Sequence, residues 1–549
     1  MTFTGARAAT LLACLAALLA VPAVNASAAG GAVAAGASCP GVVNARSFAG
    51  ANQLRTLVRQ ENRFGERYLA SRAHNRTIDW IEDEVRAIKG FKVRSDPFKV
   101  WRWLPRTKAK GRPGLDLGRA GGLSVTARNG KTASVPVAGA VRWSQPTGKR
   151  GGRKGRLVYL GPDQEITTAT SAGKVVVRDF PATALPYAAF GIIGVYVTPD
   201  LASASGAYAR PFLNELHQEL LAASRAGAAG VVFTFDVPRK QVSGYGDPHT
   251  GTIFRVPALF VGGAEARRLR SLAAAGASAR VLVRAKVERA RTSNVIATLP
   301  GKSKQRMILA ANTDGQSWVQ ENGVAGMIAF ARYYAGLPKR CRPRTLQIAF
   351  ASAHDAIVRD GMGRYSAPLD AQYDKGSIAF VFAIEHLGTR EILPNAAGNR
   401  LRFTGRGEPF LFGAGDSTAL QEAAAAATKR RKLDMTAVLK GLGLPTPGQV
   451  PPVCSMGGLG NFFHPKLIPT LAMISGPWSL YAPSFRESAI DYGRMRSQLL
   501  AVGDSVLALD GLPREQIAGD YLEMREQRAQ GAPTCPPERY PQFAPSPGK

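Results

Sequence analysis

The chain has 549 residues, 45% hydrophobic and 20% charged. That composition excludes a disordered or fibrous protein, and the length exceeds one ordinary core, so two or three domains are expected. Lysine and arginine number 71 against 39 aspartate and glutamate, a net charge of +32. The basic clusters at 106–112, 148–156, 338–344 and 428–432 lack interleaved aromatics. This argues against nucleic acid as the partner, and for solvated loops that favour an anionic cell-wall polymer or membrane surface.

The first segment carries one charge, Arg7, then an apolar run over 8–24 and small residues with cleavage-like sites after Ala26 and Ala28. It reads as a signal peptide, 1–28, and so as secretion; a membrane anchor is the alternative. "LLAC", ending at Cys14, resembles a lipoprotein box, but the apolar run continues past it. Four cysteines remain, Cys39, Cys341, Cys454 and Cys535, and an even count in a secreted chain points to disulfides. Of the three pairings, Cys39–Cys535 and Cys341–Cys454 are favoured. No CxxC spacing supports a cysteine zinc site.

A helical zone follows over about 45–90. In "NRTIDWIEDEVRAIKGFKV" Asn75 is placed to cap, Ile78, Ile81, Val85 and Ile88 recur at helical spacing, and Gly90 stops the helix before a strand. From about 115 to 287 the pattern becomes short and β-rich ("GRLVYLG", "GKVVVRDF", "GVVFTFD") around the helix of "PFLNELHQELLAASRAGAAG". This stretch interrupts a larger α/β pattern, and its excision is expected to leave that pattern folded. The pattern resumes at "SNVIATLPG" (293–301) and continues through strands in "RTLQIAFASAHD", "GSIAFVFAIEHLG" and "LIPTLAMISG" to a closing helix, "DYGRMRSQLLAVGDSVLALDG". Alternating strands and helices make the main domain α/β. The expected organisation is a signal peptide 1–28, a split α/β domain over 45–117 and 289–510, an inserted unit 118–288, and a tail 511–549.

Polar groups gather at the ends of these strands: Asn312 and Asp314, His354 and Asp355, Glu385 and His386, and the loop 457–464, with Glu321 before a helix. Strand ends of an open α/β sheet are where binding sites collect. Asn312 is either a metal-site residue or a turn cap, and Glu321 either a ligand or a first-turn carboxylate favoured by the helix dipole. Glu385 ends a long apolar strand, so its carboxylate needs a partner. A serine hydrolase is disfavoured, because no G-x-S-x-G occurs and "GAGDS" (413–417) lacks the required spacing.

In order and spacing, these motifs resemble the secreted aminopeptidases with a co-catalytic pair of zinc ions, the M-twenty-eight type, carrying an inserted protease-associated (PA) domain. The resemblance covers about 45–507. It implies a three-layer α/β/α sheet with an inserted β-rich PA-like domain. It also implies a peptide substrate and a metal site. The family's His-x-Asp falls on Asn312-Thr313-Asp314, leaving Asp314 as the orienting residue without its ligand. The bridging carboxylate falls on Glu321, the general base on His354, a ligand on Asp355 and another on Glu385, with His386 beside it. The last histidine ligand is expected at Gly460, with His464 four residues on. Each metal thereby loses its imidazole. The remaining Asn312, Glu321, Asp355 and Glu385 would suit calcium, magnesium or manganese better than zinc, or hold no ion. The implied function is a secreted peptide-bond hydrolase with an altered metal site and His354 as base. The alternative is an inactive descendant that binds peptide or cell-wall polymer.

Overall fold

The computed structural model describes residues 39–148, 151–214, 216–247, 252–357 and 360–536, and one compact unit begins at Pro40. The expected signal peptide lies outside the described residues.

Nine strands form the main sheet: β1 (Lys92–Pro105), β2 (Gly194–Val197), β3 (Ala285–Leu299), β4 (Arg306–Asn312), β5 (Thr345–Ala351), β6 (Ile378–Ile384), β7 (Phe410–Gly413), β8 (Thr436–Leu439) and β9 (Thr470–Ile474). Their spatial order is β1-β3-β5-β4-β6-β9-β7-β8-β2. The centre, β5-β4-β6-β9, is parallel.

The apolar runs of these central strands are explained by burial on both faces. In β4, Met307, Leu309 and Ala311 pack on one side with the helices Gly323–Gly336 and Tyr492–Asp510. Ile308 and Ala310 pack on the other with Met362, Tyr365, Leu369 and Tyr373 of two short helices. The result is the α/β/α layering expected. The first-face helix Arg72–Arg86 is capped by Ser71, whose hydroxyl accepts from the His74 amide, so Asn75 lies inside the helix rather than at its cap.

A second sheet of eight strands is drawn entirely from residues 121–283. The segment 118–288 is not confined to it, however. Its strand β2 pairs antiparallel with β8 at the edge of the main sheet, and Tyr187, Phe190 and Leu201 bury Met435, Ala437 and Leu439. Beyond residue 510, two further helices, Arg514–Ala518 and Tyr521–Ala529, pack Ile517 and Tyr521 into the core.

Cys39, Cys341, Cys454 and Cys535 are all disulfide-bonded, but Cys454 bonds Cys535. That excludes both favoured pairings, Cys39–Cys535 and Cys341–Cys454. The chain after the closing helix folds back to the 446–454 loop, where Val450 forms a bridge with Thr534.

Candidate metal centre

The parallel strands β5, β4 and β6 end side by side, and their last residues carry the site. Asn312 is the final residue of β4, and its Nδ2 donates to Glu385 Oε1 at 3.3 Å, so it faces the site and does not cap a turn. Glu321 lies outside the following helix, whose N-cap is Asn322, and adopts a left-handed conformation with φ 68°. It is therefore no first-turn carboxylate. Asn322 clamps the arrangement, accepting from the Leu387 amide and donating to its carbonyl. Gly323 allows the close approach, since a Cβ there would stand 2.1 Å from the Ile384 carbonyl.

Ala353, beside His354, and His386 are also left-handed, with φ 68° and 54°. Such conformations cost roughly 1–3 kcal/mol each and persist where the surroundings over-determine them, typically at functional sites.

Glu321 Oε1 stands 3.0 Å from His354 Nδ1 and 3.8 Å from His386 Nε2. Its Oε2 is buried without a hydrogen-bond partner among the described residues. Burial raises the Glu321 carboxyl, but the two imidazoles outweigh that and hold it well below its ordinary value. Burial alone would lower His354; the Glu321 carboxylate reverses this and lifts it to about 9. Glu385 accepts from the Leu459 amide at 2.8 Å, and burial, aided by Glu321, raises it. His386 Nδ1 lies 2.7 Å from the Ser475 carbonyl and so donates to it, and Nε2 faces Glu321; burial would lower this imidazole, but the Glu321 and Glu385 carboxylates raise it.

Asp314 does not touch Asn312. It accepts from the amides of His354 and Asp355, at 3.1 and 2.8 Å, and so fixes the turn that carries both. Burial, with Asp355 nearby, pushes it up to about 7. Asp355 is divided: its Oδ2 accepts from Arg142 Nη1 at 2.7 Å, both side chains being fully buried, while its Oδ1 has no hydrogen-bond partner among the described residues and lies 3.8 Å from His354 Nδ1. Arg142 arrives from the 118–288 segment, 213 residues away in sequence. Sequence reading missed it, although an arginine inside the apolar "AGAVRW" signals a buried charge that needs a partner.

The loop 457–464 corrects the expectation for Gly460. A Cβ on Gly460 would meet Ala472 Cβ and Met456 Cγ at 2.8 Å, so this position points into the core. Gly458 faces the site instead, with φ +48° and a Cβ position 1.9 Å from Glu385 Oε2. His464 is no ligand: its ring nitrogens bond the Tyr521 hydroxyl and the Val453 carbonyl, each at 2.7 Å.

Donor atoms of Glu321, His354 and Glu385, all buried, lie within 4.8 Å of one another. Ligands around a tetrahedral zinc ion lie about 3.4 Å apart, so a small inward movement of the carboxylates closes the set. The unpartnered Glu321 oxygen supplies an observation independent of spacing, and these residues fit one divalent ion. At the expected second position the Arg142 guanidinium competes with an ion, because it already pairs with one oxygen of Asp355.

No family profile matches the chain, and no curated protein matches it in sequence. Solved structures do. The Peptidase M28 precursor of Shewanella amazonensis superposes with a TM-score of 0.55 at 15% identity, covering 84% of this chain and 95% of the other. The zinc aminopeptidase BSAP of Bacillus subtilis gives 0.54 at 15%, covering 85% and 97%. The aminopeptidase of Aneurinibacillus gives 0.52 at 17%, covering 84% and 94%. The chain has the zinc-aminopeptidase fold. At these identities the likeness is one of fold, and the chemistry of this zinc-aminopeptidase-like chain rests on its own residues.

Proposed function

We propose that the chain is a secreted peptide-bond hydrolase built around a single divalent ion held by Glu321, His354 and Glu385. The observation that carries this reading is the convergence of those three buried donors at the ends of β4, β5 and β6. When bound, the ion would supply Lewis-acid polarisation of the scissile carbonyl and of a water molecule. His354 belongs to the donor set rather than acting as base. His386 takes that role: with Nδ1 committed to Ser475, its Nε2 receives the proton given up by the attacking water. Asp314 holds the His354 turn in place, and Arg142 stands in for a second cation at Asp355. Two carboxylates and one imidazole suit zinc or manganese. Aminopeptidases among the similar structures support a peptide substrate. Secretion is supported by the apolar N-terminal run, the disulfides, and the absence among the described residues of any helix long and apolar enough to cross a membrane.

A second reading, a peptide-binding protein without turnover, is favoured by the Arg142–Asp355 and Asn312–Glu385 contacts, which give former metal-binding positions partners within the protein. Hydrolysis of aminoacyl p-nitroanilides by metal-loaded protein separates the two. Turnover that is lost in Glu385→Ala and depressed in His386→Gln supports the hydrolase. Metal bound stoichiometrically with no turnover of these or of peptides supports the second reading.

A further inference from the structure

A concavity of about 160 Å³ is lined by Arg63, Glu66, Arg112, Gln316, Trp318 and Arg486, among others. Glu66, Arg112 and Arg486 also line an adjoining one of about 210 Å³ that reaches Tyr68. Gln316 and Trp318 belong to the loop between Asp314 and Glu321, and the Tyr68 ring lies 5.6 Å from the guanidinium of Arg142, which holds Asp355. The groove is therefore linked to the candidate metal centre through that loop and through Tyr68 and Arg142.

The arginines here are not equivalent. Arg112 is ion-paired with Glu66. Arg63 and Arg486 are exposed and have no acidic partner among the described residues; each lies against an aromatic ring, Phe64 at 4.5 Å and Trp318 at 5.9 Å. A guanidinium resting on a ring keeps its N–H edge available for a planar anion, which it binds through paired hydrogen bonds. Arg486 moreover adopts φ 49°, ψ −138°, a conformation rarely tolerated outside glycine.

We propose that this groove binds carboxylate side chains of an acidic peptide, so that the substrate class is acidic peptides; this rests on the peptidase reading. Glu66 and Arg112, paired with each other, line the groove alongside the two unpaired arginines, so its free positive charge is confined to two separate guanidinium groups. That suits isolated carboxylates, each held by one arginine, and disfavours a continuous run of phosphates.

The test is equilibrium binding, read by fluorescence anisotropy on the full-length mature protein without turnover. The probes are a labelled glutamate-containing peptide, its glutamine counterpart and a glycerol-phosphate polymer. The glutamate peptide is expected to bind at least about tenfold more tightly than the glutamine peptide. Arg63→Gln and Arg486→Gln, both surface changes, should each cost roughly tenfold on the glutamate peptide and leave the glutamine peptide unchanged. Equal affinity for the two peptides, equal losses on both, or tighter binding of the phosphate polymer overturns the proposal. A protein that binds the acidic peptide as expected yet holds no metal and hydrolyses nothing contradicts the hydrolase reading alone.

Discussion

At the scale of single residues, the site turns on His354, which the Glu321 carboxylate holds protonated up to about pH 9. A metal ion must displace that proton to reach the nitrogen. Zinc affinity is therefore expected to rise about tenfold per pH unit between pH 7 and 9 and then level off. Calorimetry in two buffers of different ionisation enthalpy should count about one proton released per ion near neutral pH. The stability sign follows from the same shift. A folded value raised above the unfolded 6.5 gives His354 a stabilising contribution that is complete below about pH 6.5, declines above it, and is gone once pH passes about 9. Metal-free His354→Gln should show none of this loss in thermal scans.

Asn312 already donates to Glu385, so Asn312→His should raise zinc affinity by at least about tenfold; titration calorimetry reads it directly. Gly460→His should not, because its side chain would be driven against Ala472 and Met456. A loss of about 1–3 kcal/mol in denaturant unfolding is expected instead.

At the scale of elements, the central strands were legible because a parallel strand buried on both faces has a near-continuous apolar run, as in "IAFVFAI" of β6. Strands β7, β8 and β2, at one end of the sheet, have four residues each, too few for a period to show. At the site, Glu385 was legible as a carboxylate closing an apolar strand. Its partnership with Leu459, and Gly458 rather than Gly460 as the position facing it, depend on loop path and not on spacing. Arg142 was hidden because its partner lies in another element, 213 residues on. That ion pair makes a strong demand. Arg142→Met leaves a buried, unpaired Asp355 and should cost about 3–5 kcal/mol, while adding Asp355→Leu should recover most of it. Chemical denaturation of the three variants gives the cycle.

At the scale of the whole molecule, the 118–288 segment contributes a sheet of its own, an edge strand to the main sheet, and Arg142 to the site. Excising it should therefore lower the melting temperature of the remainder and weaken cooperativity, by uncovering Ala437 and Leu439 and leaving Asp355 unpaired. The Cys454–Cys535 bridge, closing a separation of 81 residues, is worth about 4 kcal/mol on chain entropy, so reduction should shift unfolding to lower denaturant. We propose that this fold keeps one metal position and that the Arg142 guanidinium takes the place of the other. The most direct test is metal stoichiometry, by elemental analysis of purified mature protein dialysed against excess zinc or manganese, alongside Glu385→Ala. One ion per chain is expected, absent from the variant. Two tightly held ions per chain, or none, would contradict it.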